Sequence, residues 1–319
     1  MTHYDVFNGD ADGICALHQL RLAEPKTSVL VTGVKRDIAL VKQVPADAAS
    51  TVTVLDISMD KNRADLTPLL DAGMKVSYFD HHFAGDIPAS ANLDVHIDTD
   101  ANTCTGLIVN KHLKGAHLAW AVTAAFGDNL LDSARAAATP LNLSDAELSQ
   151  IQTLGTLLNY NGYGNTLDDL FFPPAELYKR VQPYSDPLGF INEDDAYQKL
   201  ETGYNSDMEK AQKTTPIMAD ESTAVFVFPE AAFARRVSGV YANDLAQQHP
   251  NRAHAMLSTL PGDGYLVSVR APLANKTGAD ELCRQFETGG GRKAAAGINF
   301  LSASDLNKFT DAFKAQFST

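Results

Sequence analysis

Short apolar runs alternate with longer amphipathic segments over residues 1–100 of the chain. The apolar runs are rich in β-branched and aromatic residues and end at polar clusters, which predicts strands over residues 4–7, 28–32, 52–55 and 76–79. The segments between them have helical periodicity and predict helices over residues 13–23, 37–44 and 61–72. Strands and helices that alternate in this way indicate an α/β fold with a parallel sheet, in which ligands bind beyond the carboxyl ends of the strands.

The pattern becomes mostly helical from about residue 103 to residue 218, and strands then resume. Helices are predicted over residues 116–126, 145–159 and 194–213, with a turn-rich loop at residues 159–164. Further strands are predicted at residues 224–228, 253–258, 265–269 and 297–300, with a Gly-rich loop at Gly289–Gly291 and a closing helix at residues 305–317. We therefore expect a parallel-sheet domain with a helical extension (residues 1–200), a helical connector (residues 201–219) and a smaller α/β domain (residues 220–319).

Composition and charge limit which kinds of molecule the protein can bind and where in the cell it is expected. The 319 residues are 45% hydrophobic, which is ample for the cores of two domains. The net charge of −13 excludes a general electrostatic attraction for long nucleic acid. Cys15, Cys104 and Cys283 are odd in number and far apart, so we expect buried thiols in a reducing compartment. No signal peptide and no apolar stretch of the ~18–20 residues that a membrane span needs is visible, so we expect a cytoplasmic protein without a membrane partner.

Acidic and imidazole side chains follow three of the predicted strands. They are Asp10 and Asp12 after the first, Asp56 after the third, and Asp80, His81 and His82 after the fourth, with Asp128 following an apolar helix. Carboxylates brought together repel by about 4 kcal/mol per pair at ~4 Å and an effective dielectric of ~20, so cations must fill such a cluster. Carboxylate and imidazole ligands suit manganese or magnesium and accept cobalt or iron, whereas the absence of thiolates argues against a structural zinc site.

Each of these signals has an ordinary structural alternative. An Asp-x-Asp-Gly sequence after a strand is often a turn with a helix N-cap, and adjacent histidines can be a hydrogen-bonded surface pair. The conjunction favours a metal site, because three strands independently end in ligand-type residues. A pair of such ions ~3.5–4 Å apart would bridge a phosphate, activate water and neutralise developing charge.

These residues resemble the four catalytic-domain motifs of the DHH phosphoesterase superfamily. Asp10 and Asp12 match the first motif, Asp56 the second, Asp80, His81 and His82 the third, and Asp128 the fourth. Residues 289–297 read GGGRKAAAG and are similar to the GGG[HR]xxAAG signature of the DHH-associated substrate-binding domain. The resemblance covers nearly the whole chain and implies a catalytic domain and a substrate-binding domain.

The resemblance also implies roles for the site residues. The metal ligands would be Asp10, Asp12, Asp56, His81 and Asp128, with Asp56 bridging two ions. His82 would face the substrate phosphate and assist proton transfer, while Asp80 would ligate a metal or orient its histidine neighbour. The chain departs from its relatives at Val6, where many have histidine, and at Asn8, where others have aspartate. Asn8 is a further, weaker candidate ligand, so one ion would bind more loosely.

A second group of candidates lies in the smaller domain. Gly289, Gly290 and Gly291 would offer backbone N–H groups to an anion, and Arg292 takes the place of a common histidine. Arg292 could hold a phosphate or stack on a base. Arg270 follows a predicted strand and Arg236 belongs to an Arg-Arg pair, and for both an ordinary surface role is the alternative.

Members of the superfamily share the catalytic domain and differ in substrate, so the fold does not choose the reaction. Large processive exonucleases need extra nucleic-acid-binding domains and basic channels, and we expect neither in this acidic two-domain chain. We expect a phosphodiesterase with two manganese ions (or magnesium or cobalt) that hydrolyses linear dinucleotides such as pGpG, from cyclic-di-GMP signalling, or very short oligonucleotides (nanoRNA) to mononucleotides. The alternatives are a phosphomonoesterase acting on adenosine bisphosphate or short polyphosphate, and a non-catalytic nucleotide-binding regulator. Base preference, cleavage polarity, the metal used in the cell and the choice between monomer and homodimer stay open.

Overall fold

The structure is a computed structural model that describes residues 2–318. These residues form two compact units, and the boundary between the units falls between Gly203 and Tyr204. Among residues 2–318, no helix combines the length and the apolar character that crossing a bilayer requires.

The first unit is built on a five-stranded sheet in the order β2-β1-β3-β4-β5. The strands are β1 His3–Phe7, β2 Val29–Val31, β3 Thr51–Leu55, β4 Lys75–Asp80 and β5 Leu93–Ile97. All neighbouring strands are parallel, which confirms the predicted parallel α/β sheet. The half-buried edge strand β5 was not predicted, because its charged and imidazole residues break the apolar run.

Helices cover both faces of this sheet and extend it. They are α1 Ala11–Ala23, α2 Met59–Asp71, α3 Thr105–His112, α4 Leu118–Gly127, α5 Leu131–Ala138, α6 Asp145–Gly162, α7 Pro174–Val181 and α8 Pro187–Glu193, and α9 Asp195–Gln212 crosses the unit boundary. Every residue of α1 from position 11 to 21 is buried, so α1 is a central helix without a solvent face. Such a helix can hold the side chains at its N-terminus in a fixed place.

A buried polar network joins β1 to α1 at the opposite end of the helix. Arg21 donates hydrogen bonds to both carboxylate oxygens of Asp5, at 3.0 and 2.6 Å. Ser28 Oγ donates to Asp5 at 2.6 Å, and His3 Nε2 lies 3.1 Å from the same carboxylate. Burial raises the pKa of Asp5, but the hydrogen bonds from Arg21 and His3 outweigh burial and lower it to about 2. Asp5 therefore stays ionised inside the fold.

Two predicted elements of the first unit were wrong. Residues 37–44 contain only a 3₁₀ turn at Val41–Gln43, since the Asn62 side chain accepts from Val41 N and donates to Ile38 O in place of helical hydrogen bonds. The loop predicted at residues 159–164 is mostly helical, because α6 continues to Gly162. The buried Asn161 side chain there bonds the backbone of residues 171 and 172, and so is used as a tertiary link rather than a turn-former.

The second unit contains a six-stranded mixed sheet in the order β10-β11-β9-β8-β7-β6. The strands are β6 Met218–Ala219, β7 Thr223–Phe228, β8 Ala253–Leu260, β9 Gly264–Arg270, β10 Gly289–Gly291 and β11 Ala295–Ser302, and the helices are α10 Ala232–Gln248, α11 Ala279–Cys283 and α12 Leu306–Phe317. One core cluster packs α11 and α12, through residues such as Leu282, Phe309 and Phe313, on one face of this sheet. The predicted smaller α/β fold is therefore present.

The predicted Gly-rich loop at Gly289–Gly291 is instead the edge strand β10. Gly290 pairs with Gly297 of β11 in an antiparallel ladder, and a tight turn at Arg292 to Ala295 joins the two strands. A Cβ at Gly289 would lie 1.7 Å from the Cys283 carbonyl oxygen, so glycine is required for the close approach to α11. The glycines serve strand packing in addition to any anion contact.

Candidate metal centre

Asp10 and Asp12 begin the buried helix α1. Asp10 is its N-cap and accepts a hydrogen bond from Gly13 N at 3.1 Å. A Cβ at Gly13 would lie 2.2 Å from the Asn8 carbonyl oxygen, so the Asp-x-Asp-Gly sequence needs its glycine for the chain to turn this tightly. The ordinary structural role of this sequence and its candidate role in a site are compatible, because the cap places both carboxylates at the carboxyl end of β1.

The Asp12 carboxylate holds the N-terminus of α3. Its two oxygens accept from Thr105 N at 2.8 Å and from Gly106 N at 2.7 Å. Unpaired N–H groups at a helix start carry partial positive charge, so they stabilise this buried carboxylate. No sequence pattern indicates this contact, because Thr105 and Gly106 are distant from Asp12 along the chain and belong to no recognisable motif.

Asp56 follows β3 with a backbone φ of +59°, in the left-handed region that few residues other than glycine enter without strain. Its carboxylate is buried and accepts a hydrogen bond from Thr105 Oγ1 at 3.1 Å. Burial, with the charges of Asp12 and Asp10, raises the pKa of Asp56 well above its usual range. This carboxylate therefore sits where negative charge accumulates.

His81 directs one ring nitrogen towards three carboxylates. Its Nδ1 lies 3.1 Å from the Thr103 carbonyl oxygen, which can only accept, so Nδ1 carries a proton and Nε2 is the nitrogen that has the lone pair in the neutral imidazole. His81 Nε2 lies 3.5 Å from Asp56 Oδ1 and 3.9 Å from both Asp12 Oδ2 and Asp128 Oδ2. These four donor atoms converge from four different segments of the chain.

Asp80 is fully buried and pairs with His82, whose Nδ1 lies 2.7 Å from Asp80 Oδ1. Burial lowers the pKa of His82, but the hydrogen bond and charge of Asp80 outweigh burial and raise it. The second carboxylate oxygen of Asp80, Oδ2, is buried and has no hydrogen-bond partner within residues 2–318. The contact between Asp80 Oδ1 and His82 Nδ1 fixes the orientation of the His82 ring.

Asp128 caps the C-terminus of the apolar helix α4, and a quarter of its side chain is exposed. Burial raises the pKa of Asp128 to about 6, against the lowering influence of Lys35. The carboxylate faces His81 and so joins the cluster from a helix end rather than from a strand.

Sequence reasoning missed the cation of the cluster, Lys35. Lys35 Nζ donates to Asp10 Oδ2 at 2.5 Å and to Asn159 Oδ1 at 2.8 Å. Burial raises the pKa of Asp10, but the charge of Lys35 outweighs burial and lowers it. Asn8, the candidate extra ligand, donates from Nδ2 to the Lys35 carbonyl oxygen at 3.4 Å, while its buried Oδ1 lacks a partner in the described part of the chain. Lys35 lies in an irregular segment after β2, where no motif marks it.

The donor set fits a divalent ion. His81 Nε2 faces carboxylate oxygens of Asp12, Asp56 and Asp128, and three carboxylates gathered in this way repel one another unless a cation shares them. Ligand atoms of Asp56, His81 and His82 also lie within 4.8 Å of one another. Oxygen and imidazole donors without a thiolate suit manganese or magnesium. His81 has the oriented tautomer typical of a metal-binding histidine, because a carbonyl holds its other nitrogen.

The candidate substrate residues of the second unit occupy two places. Arg270, at the end of β9, pairs in register with Ala295, so it lies at the same end of the sheet as Arg292 and the turn after β10. Its guanidinium donates to Asn243 Oδ1 at 2.8 Å and to Ser268 Oγ at 2.9 Å. Arg236 precedes Asn243 on α10 by ~10 Å of helix. It forms an ion pair with Asp207 at 2.6 Å.

No protein-family model matches the sequence, and no curated protein matches it. Several solved structures do match. The chain is similar to the exonuclease RecJ bound to manganese, with a TM-score of 0.65, 15% identity and coverage of 98% of this chain and 89% of that chain. It is similar to RecJ from Thermus thermophilus in complex with Mn²⁺, with a TM-score of 0.62, 18% identity and coverage of 98% of this chain and 51% of that chain.

A third likeness is to the pGpG-specific phosphodiesterase PggH from Vibrio cholerae, with a TM-score of 0.57, 14% identity and coverage of 99% of this chain and 98% of that chain. At such low identities a likeness speaks for the fold. The α/β fold that the family resemblance implied is confirmed at that level. This chain shares the fold of these three solved structures.

Proposed function

We propose that this protein is a metal-dependent phosphodiesterase that hydrolyses linear dinucleotides, such as pGpG, or very short oligonucleotides to mononucleotides. The observation that carries the proposal is the convergence of His81 Nε2 on the carboxylates of Asp12, Asp56 and Asp128. Two of the similar structures are an exonuclease bound to manganese and a pGpG-specific phosphodiesterase, which supports phosphodiester chemistry at this site.

Manganese is the proposed ion, with magnesium or cobalt as alternatives, and Asp12, Asp56, His81 and Asp128 would hold it. An ion bound there would supply Lewis-acid polarisation of a phosphoryl oxygen and an activated water. The resemblance predicts a second ion beside Asp10 and Asp56. The chain's own residues keep the donors in place: α3 fixes Asp12, and the Thr103 carbonyl fixes the tautomer of His81.

His82 is the proposed proton donor to the leaving oxygen. Asp80 binds its Nδ1, so Nε2 is the ring nitrogen that remains for the substrate. The raised pKa of His82 favours the protonated imidazole near neutral pH, which is the form that a general acid needs. Nearly half of the His82 side chain is exposed, so a substrate can reach it.

Phe83 favours a nucleotide over pyrophosphate as the substrate. It directly follows His82, and its side chain is 74% exposed. The backbone here is held in place, because Ser58 Oγ donates to the Phe83 carbonyl oxygen at 2.9 Å and Arg63 donates to the Ala84 carbonyl oxygen at 2.9 Å. An exposed aromatic ring on such a backbone, next to a phosphate site, offers a surface on which a base can stack.

The substrate range follows from charge. A chain with a net charge of −13 gives long nucleic acid no extended basic surface, whereas a dinucleotide needs only the local metal site and a few contacts. Roles for Gly289–Gly291, Arg292 and Arg270 in binding the nucleotide belong to the same proposal, and Arg236 would need to leave Asp207 to take part.

The test is manganese-dependent hydrolysis of a substrate panel. The panel contains pGpG, other dinucleotides, longer RNA, cyclic-di-GMP, adenosine bisphosphate and pyrophosphate. We expect release of mononucleotides from dinucleotides, loss of this activity in His81→Ala, and retention in the control His249→Ala, an exposed histidine of the second unit. Phosphate release from adenosine bisphosphate or pyrophosphate alone would replace the proposal with a phosphomonoesterase or pyrophosphatase. Manganese binding without turnover of any substrate would indicate a non-catalytic regulator.

A further inference from the structure

The ammonium group of Lys35 lies inside the carboxylate cluster. Its Nζ contacts Asp10 Oδ2 at 2.5 Å, and only 23% of the side chain is exposed. The other oxygen of Asp10 accepts from Gly13 N. Both oxygens of this predicted metal ligand are therefore already bound by donors of the chain itself, and one of those donors is a full positive charge.

The fold holds this ammonium group in place from several directions. The Lys35 backbone N donates to the Gly162 carbonyl oxygen at 2.8 Å, which anchors the segment to the end of α6. Asn159, one turn earlier on α6, accepts from Nζ at 2.8 Å, and the Tyr163 ring lies 5.3 Å from it. A lysine with these contacts is an ordered part of the site rather than a mobile surface group.

The two sides of the cluster differ in their donors. The His81 side has an imidazole with the carboxylates of Asp12, Asp56 and Asp128. On the Asp10 side, the neutral amide of Asn8 is buried beside the lysine. Val6, four residues before Asp10, is fully buried in the core and offers no ligand atom. The Asp10 side thus has an ammonium group and a neutral amide, where the His81 side has an imidazole and three carboxylates.

We propose that the Lys35 ammonium takes the place of one of the two metal ions, so that the site binds a single divalent ion tightly, on the His81 side. The inference rests on the proposed metal dependence and alters its ion count. An ammonium in contact with Asp10 repels a divalent ion on the same carboxylate, and it neutralises the charge that would attract one. Lys35 then supplies a permanent positive charge that neither chelators nor metal exchange can remove.

Metal stoichiometry tests this inference without any substrate. Mn²⁺ is titrated into the metal-free full chain, and binding is followed by calorimetry and by electron paramagnetic resonance, which separates an isolated ion from a coupled pair. For the unaltered chain we expect one tightly bound ion with the spectrum of an isolated Mn²⁺. Two ions of similar affinity, with the spectrum of a coupled pair, would overturn the inference regardless of any variant.

Charge variants of Lys35 supply the second test. In Lys35→Met we expect a second ion to bind at least about tenfold more tightly than in the unaltered chain, because the repulsion is gone and Asn8 Oδ1 is available as a donor. Lys35→Arg keeps the charge and is expected to keep one ion. Arg36→Met removes a neighbouring charge, and it is the matched control because Arg36 makes no ion pair within the described residues; one ion is expected there too. A single ion in Lys35→Met would also overturn the inference.

The outcomes are separable from those for the proposed function. A chain that binds one ion but hydrolyses nothing in the panel refutes the function and leaves the ion count standing. A chain that hydrolyses dinucleotides with two bound ions supports the function and refutes the single-ion inference. Thermal unfolding of each variant verifies that it is folded before metal is added.

Discussion

At the scale of single residues, the cluster depends on small side chains that let backbones approach one another. Gly106 is one of them, because a Cβ there would lie 2.4 Å from Ala124 Cβ and 3.2 Å from Asp12 Oδ1. The N–H groups that hold Asp12 can reach it only while α3 packs this closely against α4.

We expect Gly106→Ala to lower the free energy of unfolding by about 1–3 kcal/mol, since the added methyl group overpacks a buried contact. The displaced helix start should also weaken Mn²⁺ binding. The control is Gly189→Ala, where the nearest atom to the added Cβ is Tyr184 Cδ1 at 3.5 Å, an ordinary contact. Chemical denaturation and calorimetric Mn²⁺ titration measure both effects. Equal stability of the two variants would mean that the α3–α4 contact tolerates the methyl group.

Adjacent histidines should separate metal binding from proton transfer. His81→Ala removes the nitrogen that faces three carboxylates, so we expect loss of tight Mn²⁺ binding. His82→Ala should retain Mn²⁺ and lower kcat by about 10²-fold, as is typical for loss of a general acid. Metal titration beside steady-state kinetics distinguishes the two. Equal loss of Mn²⁺ in both variants would make His82 a ligand as well.

The exposed ring of Phe83 should contribute to substrate binding. We expect Phe83→Ala to raise KM for a dinucleotide about tenfold, in line with the ~1–3 kcal/mol of a base–aromatic stack, with little change in kcat. Phe83→Trp keeps an aromatic ring, so its KM should stay close to that of the unaltered chain. Phe300→Ala is the control, because Phe300 is also an exposed phenylalanine but lies in the second unit, on β11. Steady-state kinetics on each variant measure KM. Equal KM values for Phe83→Ala and Phe300→Ala would argue against stacking.

At this scale, the sequence was enough to predict which acidic and imidazole side chains of the site follow strands. Parallel strands end at one edge of the sheet, so Asp10, Asp56 and His81 could be placed together before the structure was known. Lys35 and Thr105 could not be, because they enter the cluster from an irregular segment and from a helix start. Their placement depends on tertiary contacts, which produce no recognisable pattern of hydrophobic and polar residues in the sequence.

At the scale of elements, the pairing of Asp5 on β1 with Arg21 on α1 fixes the far end of the helix that carries the site. We expect Asp5→Asn to lower the free energy of unfolding by about 3–5 kcal/mol, because it leaves the buried guanidinium without its counter-charge. Lys26→Met, which breaks an exposed pair with Glu24, should cost less than about 1 kcal/mol. Urea denaturation at neutral pH compares them, and a small effect of Asp5→Asn would show that water or another group compensates Arg21.

The pKa of Asp5 also predicts how the free energy of unfolding changes at acidic pH. The pKa of Asp5 is about 2 in the folded chain, below its ordinary value of 3.8. Its contribution to stability, about 2 kcal/mol by linkage, is therefore fully present above pH 3.8 and is lost as the pH falls towards 2. Unfolding free energies measured across this range should decline less steeply in Asp5→Asn. Parallel curves would contradict the depressed pKa.

Elements were predictable where one local pattern dominated. The strands β1, β3 and β4 are buried apolar runs, and their positions follow from composition. The helix expected at residues 37–44 failed because the Asn62 side chain, from α2, takes the hydrogen bonds of that segment. The edge strand β10 was not predicted, because glycine has no strand propensity and its pairing depends on the approach of α11.

At the scale of the whole molecule, charge should set the length of the substrate. Long single strands gain affinity from many phosphate contacts, and a chain with 39 acidic and 26 basic residues offers few. We expect kcat/KM to fall by at least about tenfold from dinucleotides to long RNA, and the rate on dinucleotides to depend only weakly on added salt. A length series at two ionic strengths measures both. Preference for long strands with steep salt dependence would point to a basic path that the overall charge conceals.

The backbone of Asp56 has a consequence for how this site can evolve. Its φ of +59° favours Gly, Asn and Asp, while the proposed chemistry requires a carboxylate. Single base changes in an aspartate codon include those to Asn or Gly, which suit the backbone but lose the charge, and to Glu, which keeps the charge but is strained and too long. No neighbouring codon satisfies both requirements. Lineages that carry this turn should therefore retain aspartate for as long as they retain the activity, and replacement at this position should mark the loss of catalysis rather than its gradual change.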